Sequence, residues 1–209
     1  MASATKTDVA LARSVLGCSA CFESLPVERA GIGMPQPFSV GKHYRQGGIA
    51  FFGINPGAGS SGAYKEARFQ ALSKFANGDD GSLSCYWEAL AEDAEKLWNK
   101  KYLARIRSLG LQLDQLLVGN LAMCATLGNK YPKAMLRNCW SRHAERMLKH
   151  FSPGTLILMG AEGTVGEFLR KAQAALPSVH AVRIAHYAHR EGKVYEEAEC
   201  ARVRKILGN

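Results

Sequence analysis

Four short apolar runs, separated by stretches with helical periodicity, constrain the fold of this chain more than any other feature. The runs occupy 48–53, 115–121, 155–159 and 180–185. Stretches that fit helices occupy 7–16, 65–76, 86–108, 133–151, 164–176 and 194–206. Apolar strands that alternate with helices predict a parallel sheet with helices on both faces. We therefore expect a single α/β domain over 1–209, a doubly wound, three-layer α/β/α arrangement around about four parallel strands.

Composition narrows the environment in which such a domain would work. Of the 209 residues, 47% are hydrophobic and 22% are charged, as is typical of a globular protein. No apolar run approaches the roughly 20 residues of a membrane-spanning helix, and the N-terminal segment lacks the long apolar core of a secretory leader. We expect a cytoplasmic protein without a membrane partner, in which the cysteines favour metal ligation or burial over disulfides.

The charge balance favours a polyanionic partner. The chain has 27 Lys and Arg against 18 Asp and Glu, a formal net charge of +9. A basic surface attracts nucleic acids, because phosphate neutralisation supplies most of their non-specific affinity. Charge alone is modest support, since many globular proteins are simply basic.

The loops that follow three of the predicted strands are the candidate sites, because sites in parallel sheets form at the carboxyl ends of strands. The first loop, 53–62, is rich in Gly, Pro and Ser, and it projects Asn55 from a Pro-Gly corner. Its glycines suit the close approach of a ligand, or an anion held by backbone amides. A simple strand-to-helix turn explains the same composition equally well.

The second and third loops carry side chains that can read or polarise a ligand. Asn120 ends the second strand, and its amide can both donate and accept hydrogen bonds, as reading a nucleobase edge requires. His186 and His189 follow the last strand, with Arg190 beside them. A histidine at a strand end can stabilise developing negative charge. An isolated Asn or His is usually structural, but two histidines and an arginine at one predicted edge favour a site.

The cysteine spacing indicates a metal site. Cys18 and Cys21 form a Cys-x2-Cys pair, and Cys124 and Cys139 form a second, wider pair. Four thiolates suit zinc or a [4Fe–4S] cluster, and spacing alone does not choose between them. Burial of unrelated cysteines in the core is the alternative.

Taken in order, these loops resemble the motifs of the uracil-DNA glycosylase superfamily, and the resemblance spans most of the chain. The first motif, Gly-Ile-Asn-Pro-Gly at 53–57, is similar to that of the mismatch-specific branch, which implies that Asn55 positions the attacking water. The second, Asn-Leu-Ala-Met-Cys at 120–124 with Asn-Lys-Tyr-Pro at 129–132, resembles the iron–sulfur (family four) branch. It implies that Asn120 reads the uracil edge. His186 falls at the histidine of the final motif, which contacts the uracil O2.

The cysteine framework also resembles family four. That branch has an N-terminal Cys-x2-Cys, a cysteine after the base-reading Asn, and another about fifteen residues later. The resemblance implies a structural [4Fe–4S] cluster, with zinc or no metal as the alternatives. The implied ligands are Cys18, Cys21, Cys124 and Cys139.

The chain mixes two branches and departs from the family at three positions. Family four has an acidic residue where this chain has Ile54. Its final histidine is followed by proline, whereas Tyr187 follows His186 here, so His189 is a rival for the same role. Gly57 stands where the classical enzymes carry the tyrosine that blocks thymine. Thymine exclusion must then come from elsewhere or be weak.

The expected activity is base excision from single- or double-stranded DNA that contains uracil, by a monomer. The base must leave the helix and enter a pocket before its glycosidic bond is hydrolysed. Asn55 and His186 are the expected catalytic residues. The residues expected to bind the base are Gly53, Ile54, Pro56, Gly57, Asn120 and His189, with Tyr64 or Phe69 stacking on it. The residues expected to hold or probe the DNA are Lys130, Lys133, Tyr187 and Arg190.

Two other functions fit the same residues. One is a non-catalytic iron–sulfur protein that binds damaged or single-stranded DNA, which the missing acid and the altered final motif favour. The other is a zinc-stabilised nucleotide-binding protein. Cleavage of uracil-containing DNA would separate the first from a glycosylase, and the colour of the purified protein would separate iron–sulfur from zinc.

Overall fold

The four apolar runs form strands of one sheet, and a fifth, two-residue strand pairs at its edge. The computed structural model describes residues 4–28, 33–56, 63–97, 102–186 and 192–208, with the backbone alone at 63–65, 97 and 192–196. The strands are β1 (Ser39–Val40), β2 (Ile49–Gly53), β3 (Leu116–Asn120), β4 (Thr155–Met159) and β5 (His180–Ile184). Their order across the sheet is β1-β3-β2-β4-β5. Strands β2 to β5 are parallel, and β1 is antiparallel to β3.

The helices of the described residues surround this sheet. They are α1 (Lys6–Leu16), α2 (Ala20–Ser24), α3 (Ala63–Ala76), α4 (Ser82–Leu97), α5 (Tyr102–Ser108), α6 (Lys133–Cys139), α7 (Glu145–Phe151), α8 (Glu162–Ala175) and α9 (Gly192–Leu207). A π-helical turn, Trp140–Ala144, joins α6 to α7. None of these helices combines the length and the apolar character that crossing a bilayer requires.

The prediction of a parallel sheet of about four strands is confirmed in part, because four strands are parallel and a fifth, β1, is antiparallel. Residues 39–40 are too few to show a hydrophobic period, and they lie close to several prolines and glycines. They pair along the free edge of β3, with Ser39 opposite Val118 and Val40 opposite Leu117. The four strands predicted from the apolar runs and the α/β class are confirmed.

Two of the predicted helices differ from the observed ones. The stretch 86–108 was expected to be one helix, but α4 begins earlier, at Ser82, and a separate α5 begins at Tyr102. The stretch 133–151 is helical as predicted, but it contains the π-helical turn. A hydrophobic period of 3.6 residues cannot reveal such a turn, because it inserts only one wider turn into an otherwise regular helix.

Alternate residues of the central strands contribute to different buried clusters, one on each face of the sheet. In β2, Ala50 and Phe52 pack with side chains from α1, α3, α4, α6, α7 and α8. Phe51 packs with side chains from α5 and α9. All three β2 residues are completely buried. Helices therefore cover both faces of the sheet, which explains why the strand sequences are continuously apolar rather than alternating.

Gly119 in β3 provides a test of this packing. A Cβ atom at this position would lie 2.8 Å from Cε1 and 2.9 Å from Cζ of Phe52, which is completely buried and has no room to move. We expect Gly119→Ala to lower the free energy of unfolding by about 1–3 kcal/mol through overpacking. Urea denaturation of the purified variant measures this change.

Gly163 is the matched control. It lies in α8, and nothing stands within 4 Å of a Cβ placed there. Gly163→Ala should leave stability unchanged or raise it by up to about 1 kcal/mol, because alanine favours the helix. Equal losses in both variants would contradict the packing described for β2 and β3.

Candidate active site and cysteine cavity

The carboxyl ends of β2 and β3 hold the described part of the first loop, residues 53–56, beside the start of the second loop. The two strands pair in parallel, with Gly53 opposite Asn120. Beyond the strands, the Leu121 N–H donates to the Gly53 carbonyl at 2.9 Å, and the Ala122 N–H donates to the Ile54 carbonyl at 2.7 Å. Asn120 and the segment that carries Asn55 therefore share one edge of the sheet.

The Asn120 side chain lies over Gly53. A Cβ atom at Gly53 would come within 2.8 Å of Asn120 Oδ1 and within 3.7 Å of Tyr102 Cε2. Any larger residue at 53 would therefore push the Asn120 amide from its place. Glycine at the end of β2 leaves room for this amide, which is half-buried at the end of β3.

The Asn55 side chain contacts the far part of the second loop. Its Nδ2 donates to Asn129 Oδ1 at 3.4 Å, and the Tyr131 hydroxyl donates to the same oxygen at 3.5 Å. Both bonds are long, so they restrain the Asn55 amide only weakly. The Tyr131 oxygen accepts the Thr126 N–H at 3.3 Å, and burial raises the pKa of Tyr131. Asn129 and Tyr131 belong to the second motif, but no local pattern predicts that they lie near Asn55.

A tight turn in the second loop exposes an apolar side chain. Gly128 and Asn129 have φ angles of 65° and 53°, in the left-handed region that Gly and Asn adopt most readily. Leu127 precedes them and is 59% exposed, more than any other large hydrophobic residue in the described part of the chain. Lys130 and Lys133 follow the turn in the chain, and both are exposed. The two lysines were predicted to hold DNA, but the exposed Leu127 beside them was not predicted.

His186 follows β5 at the same edge of the sheet, with β4 between its strand and the strand that precedes Asn55. Strand β4 lies between β2 and β5, so the axes of β2 and β5 are about 10 Å apart. The residue before His186 is firmly anchored, since the Ala185 N–H donates to Glu199 Oε2 at 2.6 Å. Glu199 is 5% exposed and comes from α9. Helix α9 thus determines where the third loop begins.

The remaining predicted site residues fall into two groups. Those outside the described residues are Gly57, Tyr187, His189, Arg190 and the side chain of Tyr64. His186 is therefore the candidate histidine that the structure describes. Ile54 and Pro56 are half-buried beside Asn55, and Ile54 packs over Gly160 at the end of β4, where a Cβ would meet its Cδ1 at 3.0 Å. Phe69 lies in α3 and is 39% exposed.

The four predicted metal ligands line one narrow cavity, which we call the cysteine cavity. Cys18 precedes α2 and Cys21 lies within it, whereas Cys124 lies in the second loop and Cys139 ends α6. Cys18 is half-buried, and the other three are buried. The non-cysteine residues of the lining are Val15, Phe22, Pro35, Met123 and His143. The cavity therefore gathers four sulfur atoms, from three separate segments of the chain, in apolar surroundings.

The thiols of Cys21 and Cys139 share a hydrogen bond that favours one thiolate. Donation from Cys139 lowers the pKa of Cys21 to about 6 against the effect of burial, and Asn138 and Arg142 contribute in the same direction. The shared proton and burial raise the pKa of Cys139. Thiolates are the form that binds metals, so the chemistry of this donor set fits a metal centre. Among the described residues, no three or more His, Cys, Asp or Glu side chains are already gathered closely enough to hold an ion, so the thiols would have to adjust.

His143 is a polar side chain in this cavity that the sequence did not single out. It is 5% exposed, and neither ring nitrogen has a hydrogen-bond partner within the described part of the chain. Burial, followed by the charges of Arg146 and Arg142, lowers the pKa of His143 to about 4. The ring is therefore neutral at pH 7. A lone histidine inside a helix has no spacing pattern that would have marked it.

Comparison with known proteins adds no family to this description. No protein-family model matches the chain, and no curated protein matches it. The function must therefore be inferred from the chain's own residues.

The anchor between α9 and β5 can be tested by removing Glu199. Its Oε2 accepts the Ala185 N–H, and its Oε1 lies 3.2 Å from Arg183 Nη2. Glu199→Ala leaves that N–H unpaired, so we expect the free energy of unfolding to fall by about 1–3 kcal/mol in urea denaturation.

Glu162→Ala is the matched control, because Glu162 pairs with the same arginine from a side chain that is 69% exposed. Its loss should cost at most about 1 kcal/mol. If the two variants were equally stable, Glu199 would not be the anchor of β5.

Proposed function

We propose that this chain is a DNA-repair glycosylase that hydrolyses the glycosidic bond of deoxyuridine in DNA. The observation that carries the proposal is the pairing of β2 and β3, which brings the amide of Asn120 and the loop of Asn55 to one edge of the sheet. Catalysis on a base needs one group that identifies it and another that directs the attacking water. The α/β sheet with polar loops at its carboxyl edge supports the same function, since ligands of such sheets bind there.

Asn120 would identify the base. Its amide can accept the N3–H of uracil and donate to O4, which are neighbouring groups on one edge of the ring. Cytosine presents an amino donor instead of O4, so the same amide orientation would oppose donor to donor. The position of Asn120 Oδ1 over Gly53 supports this role, because the neighbouring strand end limits how the amide can turn.

Asn55 would orient the water that attacks the sugar carbon. The long bond from its Nδ2 to Asn129 directs the side chain toward the second loop while leaving it free to shift when substrate enters. Ile54 occupies the place where family four has an acid, so strong general-base catalysis is not expected from this motif. The barrier would be lowered mainly by stabilising the departing uracil anion.

His186 would stabilise that anion at O2. It leaves β5, three strands from Asn120 on β3, a separation of about 14 Å between strand axes. In this proposal the extruded pyrimidine would lie between these two polar side chains. The rigid anchor at Ala185 supports a role in catalysis, since electrostatic stabilisation depends on donors that are held in place before the reaction.

The cysteine cavity would serve this function structurally. Its thiols suit a metal centre such as a [4Fe–4S] cluster, which would tie α2 to the second loop and to α6. Met123 and Cys124 of the second loop line the cavity, so the expected effect of the metal centre is to hold that loop.

Leu127 is our candidate for the residue that enters the DNA when a base is extruded. Apolar side chains commonly unstack base steps in this way, and lysines beside them hold the phosphates. Its exposure, the left-handed turn that follows it and the exposed Lys130 and Lys133 support the assignment. The turn lies next to Asn129, which contacts Asn55, so the wedge would act close to the reacting base.

A wedge is needed in a duplex and not in a single strand, which gives a selective test. We expect Leu127→Ala to slow uracil excision about tenfold in duplex DNA, the equivalent of about 1.4 kcal/mol, and to change the single-strand rate less than about twofold. Single-turnover assays on matched oligonucleotides measure both rates. Ile206→Ala is the control, because Ile206 is another exposed apolar residue, on α9, and should not affect either rate. Equal slowing on both substrates would exclude a wedge role.

Asn55→Ala tests the catalytic proposal itself. We expect a loss of about a hundredfold or more in the single-turnover rate, because the water loses its orientation, while binding of uracil-containing DNA is largely retained. The assay converts abasic sites to strand breaks with alkali. Asn77→Ala, at an exposed turn after α3, is the control and should behave as the parent does. Equal rates for parent and Asn55→Ala would remove Asn55 from the mechanism.

A non-catalytic DNA-binding protein is the second candidate function. The observation that favours it is the strand order, which puts β4 between the strand that precedes His186 and the strands that precede the two amides. The same assay decides between the two, since a parent protein that binds uracil-containing DNA but leaves every uracil in place would be a sensor and not a glycosylase.

A further inference from the structure

The cysteine cavity contains one more potential metal ligand than its four cysteines. His143 lies in its lining, and both of its ring nitrogens are buried and unpartnered within the described residues. Native proteins rarely bury unpaired polar groups, because each one costs the free energy of its lost hydration. Two such atoms on one ring, facing a cluster of thiols, indicate that the ring meets a ligand in the cavity.

Water is a poor occupant for this place. A buried water molecule needs two to four polar partners. Apart from the sulfur atoms and His143, the lining consists of Val15, Phe22, Pro35 and Met123. Sulfur is a weak hydrogen-bond partner, so a water molecule would gain little here. A metal centre, in contrast, binds both thiolate sulfur and neutral imidazole nitrogen strongly.

The helix geometry directs His143 toward the same point as Cys139. The two residues are four positions apart, and the π-helical turn Trp140–Ala144 falls between α6 and α7 at this place. Side chains four residues apart already share a face of a helix. A π-helical turn is rare and is frequently found at functional sites. Both Cys139 and His143 line the cavity.

The cysteines are not equivalent partners for this histidine. Cys21, Cys124 and Cys139 are between 4% and 6% exposed, and Cys139 interacts with both of the others. Cys18 is half-buried at the rim. A tetrahedral ion or a four-iron cluster takes four protein ligands, so five donors are one too many.

We propose that His143 is a nitrogen ligand of a metal centre that Cys21, Cys124 and Cys139 complete, so that the donor set is three thiolates and one imidazole. Cys18 then lies beside the centre and is dispensable for holding it. The inference requires that the cavity bind metal, but it does not depend on uracil excision. Its test therefore measures the metal and not the reaction.

The experiment compares the full chain with four variants after anaerobic purification. Metal and sulfide content are measured before and after dialysis against a chelator. We expect the parent, Cys18→Ser and His43→Leu to retain the metal, His43 being an exposed histidine that pairs with Asp114. His143→Leu should lose at least ten times more metal than the parent. His143→Cys should restore retention, because it returns a ligand to the same position.

A spectroscopic measurement separates ligation from a merely structural role. Pulsed EPR of the reduced iron–sulfur centre, or of the Co²⁺-substituted protein if zinc is found, detects a directly bound nitrogen. In protein grown with ¹⁵N-histidine, we expect a strong hyperfine coupling between the metal centre and a histidine nitrogen. This coupling should be unchanged in Cys18→Ser and absent from His143→Cys. Three results would each overturn the proposal. One is that His143→Leu retains both the metal and the nitrogen coupling, and another is that Cys18→Ser loses the metal. The third is that the parent binds neither iron with sulfide nor Co²⁺.

Discussion

The parallel pairing of β2 with β3 is the constraint on which both candidate centres depend. In its register the two strands end at the same level, with Gly53 opposite Asn120. Two further backbone hydrogen bonds continue the pairing into the loops. Glycines make this close approach possible, since Gly119 packs against the Phe52 ring and Gly53 lies under the Asn120 amide. A shift of one residue would turn the buried face of either strand toward the opposite layer.

The second loop connects the sheet edge to the cysteine cavity. It begins at Asn120, reaches the cavity at Cys124, and is buried throughout 121–126. Its backbone is held from both sides, because the Ala122 N–H donates to Ile54 and the Met123 carbonyl accepts the Gln36 N–H at 2.6 Å. A metal centre in the cavity would restrain this loop through Cys124. Asn120 and Cys124 are the ends of one five-residue segment, so the stability of the centre would be linked to the position of Asn120.

Much of the candidate site could be predicted from local sequence, and the rest could not for identifiable reasons. The spacing of the cysteines and the Asn residues at strand ends are local patterns, and the structure places the four cysteines around one cavity and the first two loops at one edge. The roles of Leu127 and Asn129 depend on a left-handed turn, which a Gly-Asn pair permits but does not require. His143 depends on a π-helical turn and on burial against residues more than 100 positions away. None of these has a signature in the order of neighbouring residues.

By itself, the sequence determined the α/β class and the approximate position of four strands, because runs of apolar residues record burial on both faces of a sheet. It did not predict the short β1, because two residues are too few to show a hydrophobic period. Only the tertiary structure decided the strand order, in which β4 lies between the strands that lead to the amides and the strand that leads to His186. It also decided which side chains line the cysteine cavity. Both follow from packing between segments far apart in the chain, where the free energy depends on shapes and contacts that no local pattern encodes.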